Sequence, residues 1–214
     1  MSLHDLHNHT TFSYDGSNTP EEIIENAIAN GIECVGITDH QFSIGAELKG
    51  YIKRINECKT KYNKYIDVLC GLEIGTRPKP DDFLMSYSQE LDYCLFESTD
   101  SLRAMDFFEF LEWARLFKCP KGLAHTDIFF LEKHYGKDIF KLLKEYNIFW
   151  EINISGNYNY YYDFITNKEK RQRVKESGIT LSVGSDTHWI GDFSISKLKS
   201  VHELIGKMGN VTIV

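Results

Sequence analysis

Thr19-Pro20-Glu21-Glu22 and Cys34-Val35-Gly36-Ile37-Thr38-Asp39-His40 bracket the stretch that decides the fold. A capping hydroxyl, a proline at the first helical position and two acids mark a helix start, and Asn30-Gly31 marks its end. The Cys34–Ile37 run that follows is apolar without alternation, as in a strand covered on both faces. It ends in polar residues. Helix, turn, buried strand and polar strand end form one repeat of an α/β protein.

The repeat extends outward in both directions. Strand-like runs begin near Leu3, Cys34, Asp67, Leu91, Lys121, Ile148 and Thr180, about 30 residues apart, the length of one βα unit. Asp100 or Ser101 is expected to cap a helix running to about Phe117, with Leu102, Met105, Phe108 and Leu111 at apolar positions. Another helix is expected over Lys170 to Glu176, closed by Ser177-Gly178. Strands alternating with helices favour a parallel sheet. An eight-fold barrel needs roughly 250 residues; seven units fit 214 residues better, with Val211 to Val214 as a short final strand. No linker, low-complexity segment or composition shift divides the chain, so one α/β domain over residues 1–214 is expected.

The composition sets the function classes. Hydrophobic residues at 42% and charged residues at 26% argue against a disordered chain. With 24 Lys plus Arg against 31 acids, the net charge of −7 argues against general nucleic-acid binding, which needs a basic face. A small anionic substrate remains compatible, because a bound metal reverses the local sign. Cys34, Cys58, Cys70, Cys94 and Cys119 are odd in number and include no Cys-x-x-Cys pair, so buried free thiols are expected. The N-terminus lacks the basic and apolar regions of a signal peptide, and no apolar run approaches the ~20 residues of a membrane helix. A cytoplasmic enzyme or binding protein with no membrane contact is the expectation.

Histidines and acids gather at the strand ends. His7 and His9 close the first run, His40 follows the second, Glu73 ends the third, His125 ends the fifth, and Asp186 and His188 follow the seventh. In parallel α/β folds the loops after the C-terminal strand ends form one face, so these residues should meet in one cleft. In His7-Asn8-His9 a period of two aims both imidazoles to one side, suited to a divalent ion. Glu73 lies within the apolar Gly71-Leu72-Glu73-Ile74-Gly75, where a carboxylate is costly unless paired or bound to a cation. Asp15-Gly16 alone reads as a turn, and His40, His125 and His188 each alone read as hydrogen-bonded core histidines. Together they point to a site for several metal ions.

This set resembles the PHP family, named for polymerase and histidinol phosphatase domains. The resemblance rests on Asp5-Leu6-His7-Asn8-His9-Thr10, Ser13-Tyr14-Asp15-Gly16, Ile37-Thr38-Asp39-His40, Gly71-Leu72-Glu73, Ala124-His125, Glu151-Ile152-Asn153 and Gly184-Ser185-Asp186-Thr187-His188, in that order. It implies a distorted seven-stranded α/β barrel and two or three divalent ions. His7, His9, Glu73 and Asp186 would hold one ion; Glu73 would bridge to a second, also bound by His125; Asp15, His40 and His188 would hold the third. Asp5 and Asp39 would either orient ligating histidines or serve as plain strand-end acceptors. Many members carry a further histidine after the fourth strand, whereas Leu91 to Asp100 contains none. Glu97 is the nearest replacement ligand there, or else a loop acid.

Such a site suits phosphate ester hydrolysis, in which metal-bound hydroxide attacks phosphorus in line. Glu73, Asp186 and His188 are the catalytic expectations, and zinc, manganese and iron all suit the donor set. A small phosphorylated substrate is the expected partner. Arg77, in the loop after Glu73, is placed to meet a phosphate or is an ordinary loop arginine, and His134 is a further substrate candidate. The aromatics of Asn157 to Tyr162 either stack on substrate or cover the barrel rim. His4 and His202 are read as packing or surface residues. Two other readings keep the metals: amidohydrolase-type cleavage, and an inert metal-binding module. The sequence does not fix the oligomeric state.

Overall fold

The capping box at Thr19 forms as the sequence dictates. In the computed structural model, which describes residues 2–76, 82–101 and 103–213, the Glu22 amide donates to the Thr19 hydroxyl at 3.3 Å and the Thr19 amide donates to the Glu22 carboxylate at 2.7 Å. This starts α1 (Pro20–Ala29), whose Ile23, Ile24 and Ala27 are buried. The following helices are α2 (Gln41–Ile44), α3 (Leu48–Tyr62), α4 (Asp82–Tyr87), α5 (Phe107–Ala114), α6 (Ile128–Tyr135), α7 (Ile139–Glu145), α8 (Asn159–Thr166), α9 (Lys168–Ser177) and α10 (Ile195–Met208). The helix expected at Lys170 is α9, ended by left-handed Gly178 at φ 60°.

Among the described residues the strands form two parallel sheets. One holds β1 (His4–Asp5), β2 (Cys34–Ile37) and β3 (Asp67–Cys70) in that order. The other holds β4 (Glu73–Gly75), β5 (Cys94–Glu97), β6 (Lys121–Leu123), β7 (Ile148–Asn153) and β8 (Leu181–Gly184). Registers pair Cys34 with Asp67, Glu73 with Leu95, and Trp150 with Leu181. Every residue of β2, β7 and β8 is buried, as expected of strands covered on both faces.

The expectation of seven strands needs correction: eight are present among the described residues, because the run from Asp67 to Gly75 breaks into β3 and β4. The break lies at Gly71, where a Cβ would stand 2.5 Å from Thr38 Cγ2 and 2.6 Å from Tyr93 Cζ. The Tyr51 hydroxyl lies beside the break, 2.8 Å from the Gly71 carbonyl and 3.0 Å from that of Ile37. Isolated bridges link the two sheets on both flanks. His40 pairs with Glu73, and Asn8 with Thr187; the Leu6 amide donates to Val183 O at 2.9 Å.

Two local expectations shift. The helix expected from Asp100 or Ser101 starts instead at Phe107, where Asp106 accepts from the Phe108 and Glu109 amides. The Met105 amide is tied to Thr76 O at 3.3 Å, which takes the preceding chain out of helical register; Leu102 lies outside the described residues. At the C-terminus, the expected final strand is reduced to an isolated bridge of Thr212 with Leu181, flanked by hydrogen bonds from the Leu181 amide to Val211 O and from the Ile213 amide to Leu181 O, and Val214 lies outside the described residues. One apolar cluster runs from Ile23 to Met208 and includes Tyr51, Phe96, Phe110 and Trp150. All five cysteines are buried and free. No helix among the described residues is long and apolar enough to cross a membrane.

Candidate metal centre

The C-terminal strand ends converge on Glu73. Its carboxylate is 1% exposed and faces four imidazoles. Oε1 lies 2.9 Å from His125 Nε2 and 3.3 Å from His7 Nε2, and Oε2 lies 2.7 Å from His40 Nδ1 and 3.5 Å from His9 Nε2. Asp186 Oδ1 lies 3.3 Å from His9 Nε2 and 3.6 Å from His7 Nε2. Asp15 Oδ2 faces His188 Nε2 at 3.3 Å and His40 Nε2 at 3.5 Å. Glu97, at the end of β5, approaches His40 Nδ1 at 3.9 Å.

Hydrogen bonds on the far side of each ring decide which nitrogen faces inward. His7 Nδ1 is 2.6 Å from Glu151 Oε1, an acceptor, so it carries a proton. Ser13 Oγ donates to Asp39 at 2.7 Å and therefore accepts from His9 Nδ1 at 3.2 Å. His188 Nδ1 donates to the Asp186 carbonyl at 3.0 Å. In the neutral rings, the Nε2 lone pairs of His7, His9 and His188 all point into the site. His7 Nε2 and His9 Nε2 are only 3.0 Å apart, which requires a shared cation, either a proton or a metal.

The electrostatics show that the site demands positive charge. Burial alone would lower the His7 pKa, but the Glu151, Glu73 and Asp186 carboxylates raise it well above its ordinary value. Burial likewise opposes charge on His125, yet Glu73 raises that ring to about 9. Burial would raise Glu73, but His7, His125 and His40 hold it well below the carboxylate range. Even so, Glu73 Oε2, His40 Nδ1 and Asp15 Oδ1 are buried without an aligned hydrogen-bond partner. Divalent ions would satisfy these atoms and displace the ring protons, so the donor set fits metal. Among the described residues, three overlapping groups have ligand atoms within 4.8 Å of one another: His9, Asp15, His40 and His188; His7, His9 and Asp186; and His40, Glu73 and Glu97. Both His9 and His40 thus sit between groups, whereas the resemblance implies sharing at Glu73.

Backbone strain marks the same edge. His125 at φ 29° and Asp186 at φ 57° are non-glycine residues in the left-handed region. The His125 amide donates to Glu151 Oε2 at 2.8 Å, and the Asp186 amide donates to His7 O at 2.8 Å. These bonds hold both ligands in conformations they would otherwise avoid.

Glu151, which the sequence offers only within the Glu151-Ile152-Asn153 motif, contacts both His7 and His125. Its signal was available: like Glu73, it is a carboxylate inside an apolar strand, here Ile148-Phe149-Trp150-Glu151-Ile152. Asp5 and Asp39 touch no imidazole ring. Asp5 accepts from the Ser185 hydroxyl and amide, and burial, opposed by Ser185, pushes its carboxyl up to about 6. Asp39 accepts from the Thr10 amide and hydroxyl and from Ser13, reaching His9 only through that serine.

Tyr158 stacks flat on His125, with ring centroids 4.6 Å apart. Tyr160 and Tyr161 are buried in the core, whereas the exposed Tyr162 donates to Gly156 O. His134 sits exposed in the last turn of α6 between Phe130 and Tyr135, with no contact to the cluster. Arg77 lies outside the described residues.

A family model described as PHP domain matches residues 5–189. A histidinol-phosphatase of Lactococcus lactis is 30% identical over 81 residues, a stretch covering 35% of this chain and 30% of that protein. In fold, the chain is similar to a histidinol phosphate phosphatase of Lactococcus lactis solved with zinc, L-histidinol and phosphate. That match has a TM-score of 0.69 at 17% identity and covers 99% of this chain and 95% of the other. A putative histidinol phosphatase of Listeria monocytogenes matches with a TM-score of 0.64 at 19% identity, over 89% of this chain and 97% of the other. The matched family region runs from Asp5 past His188 and so takes in all the converging strand ends: the chain belongs to the PHP family.

Proposed function

We propose that this chain is a metal-dependent phosphomonoesterase, similar to histidinol phosphatases, that works in the cytoplasm as one domain over residues 1–214. We read β3 and β4 as halves of one interrupted strand, which makes the wall a distorted seven-stranded barrel. Two or three ions of zinc, manganese or iron would be held by His7, His9, Asp15, His40, Glu73, Glu97, His125, Asp186 and His188. The observation that carries the reading is the pair of inward Nε2 atoms of His7 and His9, 3.0 Å apart beside two carboxylates.

When bound, the ions polarise phosphoryl oxygens and lower the pKa of bound water. The chain's own residues set the geometry. Glu151 fixes the His7 ring, Ser13 fixes His9, and the Asp186 carbonyl fixes His188, so the donors are aimed before substrate arrives. Glu73 offers one oxygen toward His7 and His125 and the other toward His9 and His40, the arrangement of a bridging carboxylate. Glu73, Asp186 and His188 are the residues on which turnover depends, and Arg77, four positions after Glu73 in sequence and outside the described residues, is the candidate for the substrate phosphate.

The test is phosphate release from a panel of small phosphomonoesters, including histidinol phosphate, by protein reloaded separately with each metal. Release that chelation abolishes supports the reading. No release from any member with any metal refutes it.

A further inference from the structure

A cavity of about 380 Å³ opens beside Asp186 and His188 and is lined further by Ser155, Asn157, Asp192 and Lys197. Lys197 rises from the first turn of α10. It is seated on the loop after β7: a Cβ at Gly156 would stand 3.2 Å from Lys197 Nζ and 3.1 Å from the Tyr162 hydroxyl. Among the described residues, neither Lys197 nor Asp192 takes part in an ion pair, with each other or with any other side chain. The cavity therefore presents one cation and one anion that do not quench each other, next to the strand end that would hold metal.

We propose that this cavity is the leaving-group subsite, and that its substrate class is a phosphomonoester whose alcohol carries both an ammonium and a carboxylate, a phosphorylated hydroxy-amino acid. The inference rests on the phosphatase reading above. With the phosphoryl group at Asp186 and His188, the alcohol portion extends into the cavity. Lys197 meets the carboxylate, Asp192 meets the ammonium, and Ser155 and Asn157 supply neutral hydrogen bonds. In the reaction, water oxygen bonds to phosphorus as the ester P–O bond breaks. One water proton goes to the leaving alcohol, giving the free amino acid and inorganic phosphate.

The experiment measures kcat/KM of the metal-loaded enzyme on O-phosphoserine, phosphoethanolamine, 3-phosphoglycerate and glycerol 2-phosphate. O-Phosphoserine should exceed each of the other three by about fivefold or more, the scale of one partly screened charge pair. K197M should erase its advantage over phosphoethanolamine, which lacks the carboxylate. D192N should erase its advantage over 3-phosphoglycerate, which lacks the ammonium. Equal kcat/KM across the four esters overturns the subsite, as does a variant that lowers all four by one factor, while the phosphatase reading survives either result. No phosphate from any of the four, with release from histidinol phosphate or another member of the wider panel, overturns the subsite alone; no phosphate from the whole panel overturns both.

Discussion

Replacing Glu151 with Gln tests whether the metal site is built from behind. Glu151 Oε1 meets His7 Nδ1 at 2.6 Å and Oε2 accepts the His125 amide at 2.8 Å, with Glu151 and His7 buried and His125 partly so. Asn153 Nδ2 adds a third donor at 3.2 Å. The carboxylate accepts from all three; an amide has one acceptor oxygen and must turn its NH2 toward a donor. A hydrogen bond to a charged group is worth roughly 1.5–3 kcal/mol net. Loss of a partner behind a ligating histidine weakens metal binding by about 10- to 100-fold. The two scales agree, since 100-fold is about 2.8 kcal/mol. Competition titration of E151Q against a chelator of known affinity should therefore show metal binding weakened by about 10- to 100-fold, with far-UV circular dichroism retained. Affinity within about twofold of the parent would refute the role assigned to this residue.

Four further outcomes follow from the same geometry. E73Q should lose nearly all activity even at saturating metal while still folding, because it keeps volume and removes the central anion; near-parental turnover would contradict this. Protons and metal compete for His125, raised to about 9, and for His7, raised well above its ordinary value, so metal affinity should climb as pH rises toward 9. Proton release on metal addition, read with an indicator dye, checks the sign. Burial and neighbouring His202 lower His4 from 6.5 to about 3, so the unfolded chain gains a proton there that the folded chain refuses. Stability should fall as pH drops from 6.5 toward 3, by up to about 1.4 kcal/mol per pH unit from this ring, and H4Q should flatten that part of the metal-free denaturation profile. At Gly184 a Cβ would meet Glu151 Oε1 at 2.1 Å and His7 Cβ at 2.4 Å. G184A should cost about 1–3 kcal/mol in denaturant unfolding and weaken metal binding with it.

Much of this was legible in the sequence because the chemistry is local or periodic. Thr19 to Glu22 is a complete capping box, and its partners are three residues apart. The two-residue period of His7 and His9 and the polar ends of apolar runs needed only the rule that parallel strands share one active face. What escaped depends on contacts between distant segments. The break lies at Gly71, where Thr38 and Tyr93 from distant segments leave no room for a side chain, and a glycine within the Asp67 to Gly75 run is only a weak signal of it. The start of α5 is ambiguous in sequence because Asp100, Ser101 and Asp106 all have capping chemistry, and the Met105 to Thr76 bond favours Asp106. Asp39, next to His40, and Asp5, two residues before His7, are natural candidates in sequence to orient those rings. The residue that holds His7 is Glu151, 144 positions away.

Residues at the C-terminal ends of β1, β2, β5, β6 and β8, with Glu73 at the start of β4, are expected to grip shared cations. An anomalous-difference map from crystals of zinc-loaded protein tests this most directly. A peak bonded to the Nε2 atoms of His7 and His9 and to Asp186 is expected, with another in contact with Glu73. Density showing these side chains bonded only to one another or to water, with zinc bound elsewhere, would contradict it.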